Sequence, residues 1–200
     1  MFVLDNYYSF SELSKLLYSV IVTRLFYPRC LLIRRPFYVR GKPRIQFGTG
    51  FTTGYNCRIE VFGDKGDKEK KLFIGSNCKI GDNVHIAVAN RVSIGDDCLM
   101  ASKIFISDLS HGNYSGVEEQ SPPGTIPNDR PVVSAPVEIG DKVWIGENVC
   151  ILKGVQIGQG TIIGANSVVS RSVPDNSIVA GSPARVIKTF DLQEGRWRAV

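Results

Sequence analysis

Two hundred residues suit one domain of ordinary size with a small appendage, and a composition that is 43% hydrophobic and 22% charged is a globular mixture without a bias toward disorder. The formal net charge of +5 is unevenly placed: residues 1–44 hold eight Lys and Arg against Asp5 and Glu12, the remainder sums to −1, and nine of the seventeen Phe and Tyr precede residue 39. No nucleic-acid fold signature accompanies this basic, aromatic segment, which argues against a nucleic-acid partner and leaves a helix that caps the domain or one that rests on an anionic membrane surface.

In chain order, the first predicted element is a helix over Ser9–Phe26, with Leu13, Leu16, Leu17, Val20, Ile21 and Leu25 expected on one side. Lys15, Ser19, Thr23 and Arg24 interrupt its apolar run, which is too short and too polar to span a bilayer. Asp5 and Glu12 precede that run, and neither a basic leader nor a small-residue cleavage site is evident, so a signal peptide is not expected. Arg24, Arg29, Arg34 and Arg35 could set this segment against the inner leaflet.

From about residue 41 a period of six takes over. Aliphatic residues stand at Ile74, Ile80 and Ile86, resume after a small shift at Ile94, Met100 and Ile106, and then run without a slip through Ile139, Ile145, Ile151, Ile157, Ile163 and Val169. A glycine follows four of the last six: Gly140, Gly146, Gly158 and Gly164. Six matches neither the helical period nor simple alternation; it fits short extended segments joined by regular corners. The aliphatic residue points inward, and the glycine, or the Asn or Asp two positions later, suits a corner with positive φ. Three segments make one coil, coils stack about 4.8 Å apart in parallel register, and several are needed to bury the aliphatic column. The expected fold is all-β: a parallel β-helix over residues 41–190, preceded by an N-terminal basic and aromatic helical segment at 1–40 and followed by a tail at 191–200.

Residues 107–136 break the period with Pro122, Pro123, Pro127, Pro131 and Pro136, so they form a loop extruded from the coils, a kind of segment that is usually functional. It opens Ser107-Asp108-Leu109-Ser110-His111. His111 and His85 are the two histidines, and His85, inside a repeat, reads as structural or solvated. The five cysteines (Cys30, Cys57, Cys78, Cys98 and Cys150) are odd in number, far apart and without zinc-ligand spacing, so reduced packed thiols and a cytoplasmic setting are expected.

Three stretches, VSIGDDCLMASKIFISDLSHGNYSG (92–116), PVEIGDKVWIGENVCILKGVQIG (136–158) and IGANSVVSRSVPDNSIVAGSPARVIK (163–188), resemble the hexapeptide-repeat acyltransferases. The similarity is to the branch that includes maltose and galactoside acetyltransferases and, by its ISD-x-x-HG form, to the O-acetyltransferases of lipopolysaccharide and capsule synthesis. The resemblance, not the spacing, implies a left-handed helix, a homotrimer with its site between subunits, and acetyl-CoA as co-substrate with no metal. It also implies His111 as the general base that takes a sugar hydroxyl's proton during attack on the thioester. Asp108 is expected either to orient that imidazole or to bond the acceptor sugar. Asn90 is similar to the family's acceptor-site asparagine, although the local spacing differs, and Trp144 is expected to line the acyl channel. The backbone N–H near Glu147 is the expected oxyanion donor. For coenzyme A the resemblance points to Lys153, Arg171 and Arg185 with backbone at Gly146, Ala165 and Gly181. No cysteine neighbours His111 in sequence, so an acyl-cysteine route has no local support. N-acetylation of an amino sugar is the serious rival. A trimeric zinc hydratase on the same helix would need three histidines, and a non-catalytic scaffold would not need His111, its loop or Trp144.

Overall fold

The computed structural model describes residues 8–116 and 119–200. Residues 1–7 of the expected N-terminal segment and residues 117 and 118 of the extruded loop lie outside the described residues.

The chain winds through three faces in turn. Face A runs Leu32–Ile33, Thr52–Thr53, Lys79–Ile80, Leu99–Met100, Trp144–Ile145, Ile162–Ile163 and Ser177–Gly181. Face B runs Phe37–Arg40, Cys57–Val61, His85–Val88, Phe105–Ser107, Cys150–Ile151 and Val168–Val169, and face C runs Ile45–Phe47, Leu72–Ile74, Val92–Ile94, Val137–Ile139 and Gln156–Ile157. Every pairing between these strands is parallel, the arrangement of a β-helix. The period-six aliphatics stack in register: Ile80, Met100, Ile145 and Ile163 on face A; Ile86, Ile106, Ile151 and Val169 on face B; Ile74, Ile94, Ile139 and Ile157 on face C. All twelve are buried. The register passes straight across residues 107–136, with Met100 opposite Ile145, so the loop leaves the body without disturbing the stack.

The corners divide two tasks that the sequence left between two residues. The glycine after the aliphatic is required by close approach: a Cβ on Gly146 would lie 2.7 Å from the Ala165 nitrogen of the next coil. The left-handed backbone falls two residues later, at Asn77, Asn83, Asp97, Asn148 and Asn166, each with φ near +58°. Asn and Asp tolerate that region because their short polar side chains bond locally.

Two boundaries move. Leu32–Ile33 and Phe37–Arg40 already pair with later coils, so the β-helix begins before residue 41. Residues 191–200, expected as a tail, contain Arg196–Ala199, which pairs antiparallel with Ala184–Asp191; that strand in turn folds back on Ser177–Gly181 and closes the end of face A.

The N-terminal helix spans Phe10–Phe26, started by a capping box between Ser9 and Glu12. Its buried contacts are the small hydroxyl residues Ser19 and Thr23, and Thr23 Oγ1 accepts the Ile33 N–H at 2.8 Å. The predicted apolar residues are not what packs on the body: Leu13, Leu17, Ile21 and Leu25 are exposed, while Leu16 and Val20 are half-buried. Small residues bring the helix close enough for Thr23 to bond the first strand, and the wider aliphatics fall outward. Among the described residues no helix is long and apolar enough to cross a membrane.

Candidate active site

The extruded loop issues from the corner between faces B and C. Its base is an antiparallel pair, Leu109–His111 against Val132–Ser134. His111 ends the first of these strands and is exposed. No hydrogen bond joins its ring to another side chain among the described residues.

Asp108 is fully buried and does not reach His111. Its carboxylate accepts three backbone N–H groups from the preceding coil: Ala89 at 2.8 Å on one oxygen, Asn90 and Arg91 at 2.7 Å on the other. The expected role beside the imidazole or on the sugar is therefore corrected. A buried carboxylate needs compensating donors, and the turn at 89–91 supplies them where faces B and C meet. Asp108 and Asn90 meet instead through the Asn90 backbone, with Asp108 as the residue that shapes the asparagine's turn.

Glu147 lies at a different corner, between faces A and B, in a ladder that climbs the coils. The Tyr55 N–H donates to Asp82 Oδ1 at 2.7 Å, the Asp82 N–H to Ser102 Oγ at 3.0 Å, and the Ser102 N–H to Glu147 Oε2 at 2.9 Å. The next rung is Ala165, whose methyl carries no acceptor. Among the described residues the Glu147 N–H makes no hydrogen bond. The sequence reading singled out Glu147 by resemblance alone; the ladder of Tyr55, Asp82, Ser102 and Glu147 ends below Ala165, which leaves the Glu147 N–H without a side-chain acceptor on the next coil.

Trp144 points outward from face A, half-exposed, between Leu99 below and Ile162 above. Gly146, Ala165 and Gly181 follow the A-to-B side of the coils, with the Gly181 N–H held by Ser167 Oγ at 3.1 Å. Lys153 and Arg171 instead project at the B-to-C corner, half-buried and exposed respectively, and Arg185 is exposed on the closing hairpin. The proposed cofactor residues thus occupy two corners rather than one line. Within a single chain, His111 and the Glu147 donor also belong to different corners.

His85 Nε2 lies 3.2 Å from Glu60 Oε2 and its ring packs on Phe105 on face B, a structural setting. Arg58 beside Glu60 holds that carboxyl below its usual range, with His85 adding to the effect. Burial pushes the Cys30 and Cys57 thiols up to about 11, so neither offers a thiolate near neutral pH. Among the described residues no group of three or more His, Cys, Asp or Glu side chains could hold a metal ion. Tyr114 and Arg130, which the sequence reading did not single out, also lie here: the Tyr114 hydroxyl donates to the His111 carbonyl, and Arg130 donates to that hydroxyl.

Residues 136–171 match the family model described as bacterial transferase hexapeptide (six repeats). The chain is 40% identical over 183 residues to WbbJ of Escherichia coli K12, which bears the name of a lipopolysaccharide biosynthesis O-acetyl transferase; the match covers 92% of this chain and 91% of that one. It is 33% identical to the galactoside O-acetyltransferase of the same organism, over 70% of this chain and 64% of that one. Among solved structures, a point mutant of AntD, an N-acyltransferase from Bacillus cereus in complex with dTDP-4-amino-4,6-dideoxyglucose and coenzyme A, shares the fold. Its TM-score is 0.66 at 24% identity, with 94% of this chain and 92% of that one covered. By its repeat and by its near-full-length similarity to WbbJ, the chain belongs to the hexapeptide-repeat acyltransferase family and is an acyltransferase.

Proposed function

We propose that this protein transfers acetyl from acetyl-CoA to a sugar hydroxyl of a surface polysaccharide, lipopolysaccharide O-antigen or capsule, or its precursor. The observation that carries the reading is the pairing of an unbonded, exposed imidazole on an extruded loop with an uncapped backbone donor at Glu147, in a chain similar along most of its length to a protein named for O-acetyl transfer. His111 takes the hydroxyl proton as the oxygen attacks the thioester carbonyl. The oxyanion of the tetrahedral intermediate accepts the Glu147 N–H, the C–S bond breaks, and the imidazolium returns its proton to the departing thiolate. Trp144 lines the acyl end; Arg185, Lys153 and Arg171 meet the anionic nucleotide end, with backbone at Gly146, Ala165 and Gly181 along the pantetheine arm. Asn90, set by Asp108, faces the acceptor.

The β-helix is left-handed, as the family resemblance implies, and the separation of His111 and Glu147 onto different corners supports a homotrimer in which the B-to-C corner of one copy meets the A-to-B corner of its neighbour. The outward residues lean the same way: Leu99, Trp144 and Ile162 on face A are apolar above Lys79, whereas Gln46, Ser93, Glu138 and Gln156 on face C are polar, with Phe73 among them. We place the enzyme in the cytoplasm. The outward stripe of Leu13, Leu17, Ile21 and Leu25, with Arg24 and Arg29 beside it, supports peripheral contact with the anionic inner leaflet.

The shared fold of AntD favours one second reading, transfer to an amino sugar. Acetyl-CoA supplied with either a hydroxyl-only or an amino-bearing glycan separates the two. Turnover of the first is expected, and acetylation confined to the amine would overturn the O-transfer reading.

A further inference from the structure

The extruded loop is closed on itself by one guanidinium. Arg130 donates from Nε and Nη2 to the Thr125 carbonyl at 3.2 and 2.8 Å, from Nη2 to the Pro123 carbonyl at 3.3 Å, and from Nη1 to the Tyr114 hydroxyl at 2.7 Å. The Tyr114 hydroxyl donates its own proton to the His111 carbonyl at 2.9 Å. Immediately after His111 the chain turns through Gly112 at φ +97°, whose N–H donates to the Pro131 carbonyl at 2.7 Å. A Cβ at Gly112 would collide with the Tyr114 hydroxyl, so glycine is what allows the phenol to reach under the turn.

From these contacts we infer that Tyr114 and Arg130 are positioning residues for His111, acting through its main chain. The inference rests on the reading of His111 as the base. An exposed histidine at a strand end has no packing to fix its direction. Here both groups of the peptide that follows its side chain are tied, the His111 carbonyl by Tyr114 and the Gly112 N–H by Pro131, which fixes the Cα–Cβ vector that aims the imidazole. The hydroxyl is held by a cation, and a donor polarised in this way makes a stronger bond to the carbonyl than a free phenol would. Arg130 suits the place better than Lys because its planar fork reaches Tyr114 on one side and the Thr125 and Pro123 carbonyls on the other. The contacts all lie within residues 111–131, outside the coil stack, so their loss leaves the body of the protein folded.

The test uses the full-length protein and the variants Tyr114→Phe, Arg130→Gln and their double. Turnover is read with acetyl-CoA and methyl galactoside as probe acceptor, and the imidazole NMR spectrum is read in parallel; with two histidines in the chain, the His111 signals are assigned by their loss in His111→Ala. Tyr114→Phe is expected to shift and narrow the His111 ring resonances while leaving those of His85 in place. It should lower kcat by between roughly tenfold and a hundredfold, the scale of a displaced catalytic group, with KM for acetyl-CoA unchanged. The double variant should be no worse than Tyr114→Phe, because Arg130 acts on His111 through the Tyr114 hydroxyl that this variant already lacks. Unchanged His111 resonances, a wild-type kcat in Tyr114→Phe beside an inactive His111→Ala, or a lowered melting temperature with kcat preserved would each overturn the positioning role alone. Full turnover in His111→Ala would overturn the base assignment and the positioning role together.

Discussion

The coils over residues 139–174 and the loop over 107–136 are held by opposite means. In the coils, identity of position does the work: one aliphatic per six residues, buried and stacked on its equivalents in the coils on either side, with the corner glycines admitting the close approach. In the loop, few side chains are buried, and the shape depends on individual polar groups, Asp108 beneath its root and Arg130 within it. The hydrophobic effect is non-directional and rewards repetition; hydrogen bonds are directional and reward a particular residue at a particular place. A β-helix can therefore carry a long irregular insertion without strain, and the insertion can hold the groups that a regular coil has no place for.

That contrast makes distinct predictions for the two regions. The largest effect is expected at His111. His111→Ala should lower kcat by roughly 10²–10⁴, the usual share of a positioned general base, with little change in acetyl-CoA affinity or melting temperature; steady-state kinetics beside calorimetry checks both. Ile151→Ala, in the buried stack of face B, should do the converse. It should destabilise by about 2–5 kcal/mol through the lost methyl groups and the cavity left behind, with turnover per folded molecule nearly intact. Denaturant unfolding measures it, and a loss below about 1 kcal/mol would mean that the coils relax far more readily than close packing allows.

Asp108→Asn sits between the regions and should show a mixture. Replacing one carboxylate oxygen by an amide NH₂ leaves a backbone donor of the 89–91 turn facing another donor, at a cost of about 1–3 kcal/mol for an unmet buried group. Turnover should fall with stability, while the pH optimum should stay where it is, since the carboxylate does not touch the imidazole. A shifted optimum with unchanged stability would restore the direct pairing. The smallest effect concerns the packed thiols of the body. Cys30 and Cys57 keep their protons in the folded chain up to about 11, whereas unfolded thiols ionise from about 9. Their contribution to stability is thus fully present below about pH 9 and declines as pH rises toward about 11, because only the unfolded state releases those protons. A Cys57→Ala variant should flatten that decline; an equal slope would show that other groups cause it.

Much of this was legible in the sequence because a repeat states its contacts outright. Once Ile139, Ile145, Ile151, Ile157, Ile163 and Val169 are placed six apart, the three faces, the parallel register and the buried column follow. The proline-rich break was equally plain, and so was His111 within it. The helix showed where periodicity runs out. Its leucines marked an apolar side, but the residues packed on the body are Ser19 and Thr23, since what decided the contact was the Thr23 bond to Ile33. Glu147 was visible as a family likeness, yet the reason its N–H is free lies one coil further on, in the side chain that Ala165 does not have.

By itself, then, the sequence determined the β-helix, its inward column and the position of the insertion, all of which depend on residue spacing and type along one dimension, while its resemblance to a known family implied the class of chemistry. Only the tertiary structure decided which groups meet. It turned Asp108 away from His111 and onto the amides of Ala89, Asn90 and Arg91, joined Arg130 to Tyr114 across sixteen residues, and placed His111 and Glu147 at different corners. Those outcomes rest on directional bonds between atoms distant in sequence, and a period of six carries no information about the direction of a carboxylate or a guanidinium.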